Sequence, residues 1–401
     1  MAFRIKVMVL IPAIAIATWA SWNTYNYFFD TTNPVVTLTG IETDEHYAGD
    51  ITCIVDGSDD YKVYDISVFL DNKVLVGHHK INRSSFQYSF PVATKVLTSG
   101  KHILKITVQD GSFNKNSTTK EVPFFVDNSP IQAAFIKSDA DLKVFQGRTL
   151  HLQFQMNKEI KSAVARTLAQ TYTCVPEAPN SLIYECFIPI KSDEIPNEYL
   201  IHLDIIDKVN NTLSVDNKFH IVMYPFKKQQ LTLNTEKIKL ENELGLSERQ
   251  LEADLEEATR KSPATKLWQG SFYVPCDMKG ISTEFGTLRT TQERGKYPHN
   301  AIDLLGAPRS VVWATQDGII TIKNRYAHSG NTIVIDHGCG ILSLFFHLED
   351  FAPLNVGDKI KKGKPIGTLG MTGYASGYHL HWGLRINNID VDPMQWTRHD
   401  F

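Results

Sequence analysis

Five residues in three short segments near the C-terminus constrain this chain more than any other feature. The segments read His299-Asn-Ala-Ile-Asp303, Phe346-His347-Leu348 and Tyr378-His379-Leu380-His381-Trp382. Four histidines and one aspartate are the donors of a zinc site that does chemistry. Zinc takes imidazole nitrogen and carboxylate oxygen, and a catalytic zinc keeps one of four positions open for water. Three of the five suffice as ligands, which leaves two histidines free to move protons. In a strand, period-two alternation sends His379 and His381 to one face and Leu380 to the other. His299 and Asp303 have helical spacing, but Pro298, Gly306 and Pro308 flank them. The pair therefore reads as a loop running into a strand.

The surrounding region reads as strands. Ile319–Ile322, Thr332–Ile335, Ile341–Phe346 and Leu380–Ile386 are apolar runs linked by Gly- and Asn-rich turns, and helical periodicity is nearly absent. Antiparallel sheets folded on each other leave a groove with the histidines on its floor, a shape suited to an extended peptide. The loop Gly370–Gly377 is glycine-rich and can form a close groove wall. No helix start or P-loop lysine follows it, which argues against a phosphate cradle. His337 reads as a turn residue, His328 and His399 as surface residues, and Lys359, Lys361, Lys362 and Lys364 as a solvated loop.

Residues 280–396 resemble the catalytic domain of lysostaphin/LytM-type zinc metallopeptidases, enzymes that cut peptide bonds in bacterial peptidoglycan. The matching stretches include Gly280-Ile-Ser-Thr-Glu-Phe-Gly286 with Arg289, His299–Asp303, Val312–Gly318, Gly330–Gly338, Phe346–Leu348, Val356–Gly363 and Gly377–His381. The resemblance implies that His299, Asp303 and His381 ligate one Zn2+ per chain and that His347 and His379 are catalytic. It leaves open which of the two is the general base. The chain departs from the family at Met371, Tyr378 and Gly383. These positions fall around the groove, where substrate preference is set, and none is a ligand.

Upstream, the chain reads as mainly β. Its formal net charge of -3 over 401 residues gives no electrostatic footprint for nucleic acid. Arg4 and Lys6 precede an uncharged stretch, Val7–Phe29, that ends in Trp19, Trp22, Tyr25, Tyr27, Phe28 and Phe29. That layout fits a cleaved signal peptide and, better, a membrane anchor over residues 1–29 with an aromatic belt. It places the bulk of the chain outside the cytoplasm, in the bacterial cell envelope. Residues 34–127 alternate short β-branched runs with turns such as Asp56–Asp60 and resemble bacterial immunoglobulin-like domains. Residues 129–225 read as a second β-sandwich. Thr107-Val-Gln-Asp110 with Asn114 echoes Asp204-Ile-Ile-Asp207 with Asn211. The plain reading is a turn shaped by Asp and Asn; a calcium site is the lesser alternative, because acidic ligands are few.

Residues 226–272 form a linker. Its helix spans about 247–261, opened by Ser247-Glu-Arg-Gln250 as a capping box and stopped by Pro263. This helix either braces the domain at 273–401 or covers its groove. In an oxidising compartment, Cys174 and Cys186 are the best disulfide candidates of the five cysteines, with Cys276 and Cys339 as a second pair that nothing local marks.

The whole reads as a membrane-anchored zinc metalloendopeptidase acting on peptidoglycan peptides, with β-sandwich modules that space it or dock an envelope protein partner. The alternative is a catalytically silent wall-binding regulator that activates a separate amidase. All five chemical residues are present, which favours the enzyme.

Overall fold

Alternating apolar positions become buried faces. In the computed structural model, which describes residues 2–230, 235–291 and 295–398 (side chains from residue 14, Thr291 excepted), Leu104, Ile106 and Val108 of the strand Gly100–Asp110 are all fully buried. Strand accounts for 51% of residues and helix for 13%, so the chain is mainly β.

Ala2–Phe29 form one helix. The membrane-spanning helix expected over residues 1–29 is not supported. Among the described residues no helix is long and apolar enough to cross a membrane. The apolar run stops at Ala20. Behind it Asn23 and Thr24 dilute the aromatic tail, their side chains donating back to the carbonyls of Trp19 and Ala20. Met1 and the side chains of residues 2–13 lie outside the described residues.

Two compact units divide the chain. The first comprises Met1–Pro130 with Lys208–Asn211, the second Ile131–Asp207 with Thr212–Phe401. In the first, a six-stranded sheet is folded about a core that includes Cys53, Val55, Ile66, Ile106 and Phe124. Asp56–Asp60, expected as a turn, does not end a strand. Ile51–Leu70 runs through it as one strand, pairing with Val35–Thr39 by its first half and with Gly100–Asp110 by its second. Register shifts between Ser58 and Val63 bend it, and such shifts re-aim side chains.

The second unit holds an eight-stranded sheet within 133–222 and a ten-stranded sheet within 280–391. An aromatic weld joins them. Phe187 of the first sheet meets Trp268 at 5.5 Å and Trp396 at 5.3 Å between ring centroids. Polar contacts ring this cluster. Gln395 and Thr149 exchange two hydrogen bonds of 2.7 and 2.9 Å, and Trp396 Nε1 donates to Thr149 Oγ1 at 3.0 Å. Arg148 pairs with Asp392, and Glu185, 1% exposed, takes Lys266 and His151 at 2.7 Å each.

The linker helix Glu248–Lys261 starts as expected, with Ser247 Oγ accepting from Gln250 N–H. The reciprocal half of the box differs: the Gln250 side chain donates to Asp254 instead. Leu251, Leu255 and Ala258 are buried against Ile322, Tyr326, Leu344 and Phe346, and Leu251 and Leu255 line a cleft with His299 and His381, so this helix braces the sheet on the face that carries His381. The disulfide expectation is not met, because all five cysteines are free. Cys174 and Cys186 are both buried thiols. The register Val175↔Glu185 puts them opposite each other on neighbouring strands, where Cβ atoms stand about 4.5–5.5 Å apart, wider than the roughly 3.8 Å of a disulfide.

Candidate active site

Strand register assembles the five residues. Ile302–Leu305 pairs with Leu380–Ile386, which pairs with Ile341–Phe351, and the pairing sets Asp303 opposite His381 and His381 opposite Phe346. Leu380 and Trp382 are fully buried beneath, while His379 and His381 line the groove, as period-two alternation requires. His299 sits in the loop before Asp303 and is 2% exposed.

His347 breaks the alternation. Its φ is 61°, a left-handed conformation uncommon outside glycine. Its N–H leaves the ladder to donate to Ser329 O at 2.8 Å, and the register shifts between Leu348 and Phe351. Such local strain re-aims a side chain. The Phe346 ring then stacks on His381 at 5.0 Å, while the His347 ring meets His379 at 4.8 Å.

Three donor atoms form a tight triangle. His299 Nε2, His381 Nδ1 and Asp303 Oδ1 stand 3.0–3.1 Å from one another. The other Asp303 oxygen accepts from Arg289, which leaves Oδ1 for the triangle. Arg289 also donates to Thr283 Oγ1 at 3.0 Å. Burial pushes the Asp303 carboxyl up, but the charges and hydrogen bonds of His299 and His381 outweigh it and hold it well below the usual carboxylate range. Burial pushes the His381 imidazole down to about 4 against the pull of Asp303.

The remaining two histidines share one arrangement. His347 Nδ1 contacts Thr372 O, and His379 Nδ1 contacts Gly377 O, both at 2.8 Å. A carbonyl only accepts, so each Nδ1 carries a proton and each Nε2 is left free to take up or give one. His379 Nε2 lies 3.7 Å from Asp303 Oδ1. Burial and the neighbouring imidazoles hold His347 well below the ordinary histidine value.

A cleft of about 410 Å³ opens over these groups. The loop carrying Met371–Gly377 walls it. Gly370 permits the close approach: a Cβ there would lie 2.7 Å from His347 O. One lip comes from the linker, in a helix Thr235–Leu244 that the sequence did not signal. Its Lys237 Nζ donates to Met371 O at 2.9 Å and Ala375 O at 2.6 Å, its Asn242 accepts from Tyr374 OH, and Ile238 lines the cleft. His328, expected at the surface, also lines it and meets Tyr374 edge-on.

Residues 297–393 match the model of peptidase family M23. The chain carries an M23 peptidase domain at its C-terminus. Over 120 residues it is 29% identical to the peptidoglycan DD-endopeptidase ShyC of Vibrio cholerae, covering 30% of this chain and 28% of that protein. Over 96 residues it is 36% identical to the DD-carboxypeptidase/endopeptidase Mpg of Neisseria meningitidis, covering 24% and 22%. Among solved structures, the catalytic domain of lysostaphin from Staphylococcus simulans is 25% identical, with 30% of this chain and 92% of that chain covered and a TM-score of 0.27. The chain spans about a quarter of the length of the curated relatives it matches.

The M23 domain has a donor set that fits zinc. Donors about 2.0–2.1 Å from a tetrahedral zinc stand roughly 3.3 Å apart, close to the triangle's edges. Three lone-pair atoms at contact distance also repel unless a cation or proton sits among them. His337, by contrast, is structural in the M23 domain. It is fully buried between Asp317 O at 2.7 Å and Ser343 Oγ at 2.8 Å, and burial pushes it down to about 4. Trp268, Trp396 and Phe187 carry the weld and had no local sequence signal, because a buried aromatic does not name its partner.

Proposed function

We propose that the chain is a zinc-dependent endopeptidase that hydrolyses an amide in the stem peptides or cross-links of bacterial peptidoglycan, in the cell envelope outside the cytoplasm. The observation that carries this reading is the matched pair His347 and His379. Both present Nε2 beside a mixed nitrogen–oxygen triangle in an open groove.

His299, Asp303 and His381 would hold the zinc. When bound, the metal supplies Lewis acidity and acidifies water toward neutral pH. Arg289 holds Asp303 with one oxygen turned inward. The groove binds an extended peptide between the Met371–Gly377 loop and the sheet floor. Of the two free histidines, one takes a proton at Nε2 and passes it to the leaving amine, and the other donates from Nε2 to the developing oxyanion. Their backbone-anchored Nδ1 atoms hold both rings for that work without further reorganisation.

The test is metal content together with digestion of purified cell walls. About one zinc per chain and peptide release that stops when zinc is stripped are expected. A zinc-loaded chain that leaves walls intact would sink the enzymatic reading and restore the regulator.

A further inference from the structure

The first unit contains a second convergence of charged groups, with no histidine among them. Asp30, Asp59 and Asp110 each offer a carboxylate oxygen, and the three oxygens lie within 4.8 Å of one another. Asp30 is 8% exposed and Asp110 1%. Among the described residues, Asp30 Oδ2 and Asp59 Oδ2 are buried with no hydrogen-bond partner. A buried polar atom without a partner is costly, and a buried charge more so. No Lys, Arg or His side chain among the described residues forms an ion pair with any of the three.

We propose that Asp30, Asp59 and Asp110 form a calcium site in the first unit. Their donors are all hard oxygens, which suit calcium and not zinc. Oxygens on opposite sides of one Ca2+ stand roughly 4.6–5.2 Å apart, so a single ion reaches all three. Magnesium, with bonds of about 2.0–2.1 Å, demands a tighter octahedron. Asp30 and Asp59 are held in place by their other oxygens. Asp30 Oδ1 accepts from Thr32 N–H and Oγ1, and Asp59 Oδ1 from Tyr61 and Lys62 N–H. Asp110 is held at both oxygens, Oδ1 accepting from Ser112 N–H and Oδ2 from Asn116 Nδ2, and Asn114 Nδ2 ties Asp30 O at 2.7 Å.

The repeated motif supplies a second argument. In the second module the counterpart of Asp110 is Asp207, also fully buried, and Lys158 Nζ reaches it at 2.8 Å. A built-in ammonium neutralises one copy of the motif. The other copy has acquired two more acids, and a divalent cation meets that charge. The ion would tie residue 30, at the end of the N-terminal helix, to the bend in Ile51–Leu70 and to the loop after Asp110.

The experiment uses the full chain with its zinc restored after metal stripping. Calcium alone is titrated in by calorimetry, and melting is followed in parallel, with magnesium as the comparison ion. One Ca2+ per chain is expected, in the ~10⁻⁴–10⁻³ M range of extracellular modules, with a rise in Tm that magnesium does not reproduce. Asp59→Asn, at a half-buried position, should weaken binding at least about tenfold through loss of one ligand charge. Absence of both heat and Tm shift at about 10 mM calcium, well above that range, would overturn the site. So would unchanged calcium affinity in Asp59→Asn and Asp110→Asn. Should Asp110→Asn fail to fold, Asp59→Asn decides.

Discussion

The triangle in the second unit and the acidic cluster in the first are both buried knots of ionisable groups, yet they differ in donors and in framework. Asp303 faces two imidazoles and has its outer oxygen held by Arg289. Asp110 faces two carboxylates and is held by neutral Ser112 and Asn116. The first centre stands on strands of a ten-stranded sheet, with register fixing Asp303 against His381 and His299 entering from the loop just before. The second joins a helix end, a bent strand and a loop. Mixed nitrogen and oxygen donors on a rigid floor favour a transition metal and chemistry, whereas oxygens alone on connecting segments favour a structural ion.

The sharpest way to break this contrast is to remove one donor. Asp303→Ala is expected to lose zinc and wall hydrolysis together, measured by metal analysis and fragment release. His379→Ala should keep zinc and lose about 10²–10⁴ in turnover, the range of general acid–base contributions. Normal turnover in a His379→Ala chain would remove it from the chemistry.

Selective metal removal tests whether the centres are independent. A nitrogen chelator such as phenanthroline should abolish turnover. Removing calcium alone should lower the melting temperature and leave hydrolysis of a small soluble peptide within about twofold, since a ligand that binds only the folded form acts by mass action on stability.

The rigid framework of the first centre can be weakened without touching its donors. Trp396→Ala removes the ring shared by Phe187, Trp268 and Phe272 and should cost about 3–5 kcal/mol. Leu255→Ala, on the bracing helix, should cost about 2–5 kcal/mol. Denaturant unfolding measures both, and zinc content should survive under native conditions.

The smallest effect is in pH. Burial raises the Glu185 carboxyl, but the hydrogen bonds of His151 and Lys266 outweigh it and hold the group below its ordinary value. The unfolded chain then takes the proton more readily than the folded one. Stability from Glu185 is complete above an unfolded value of roughly 4.3 and drains away as pH falls through the lower folded value. Glu185→Gln should flatten the stability profile in that acid window, and a profile unchanged by the substitution would remove this pair from the account.

The site was legible because its information is local. The spacing of His379 and His381 encodes a shared face, and Pro298 with Gly306 marks a loop into a strand. The bracing helix was legible for the same reason, through Ser247 and the spacing of Leu251, Leu255 and Ala258. The helix Thr235–Leu244 was not, since its apolar positions are few and its place depends on Lys237 reaching carbonyls more than a hundred residues away. Asp56–Asp60 misled because its polar residues mark a turn statistically, while pairing on both sides of the strand overrode that preference.

The sequence by itself determined the donor types, the faces they occupy and the mainly β character, since composition and period two act over a few residues. Only the tertiary structure decided which nitrogen each histidine presents, which oxygen of Asp303 turns inward, and which aspartates meet in the first unit. Those outcomes depend on strand register and on the left-handed turn at His347. Both are settled by packing between segments far apart in the chain, where no local pattern reaches.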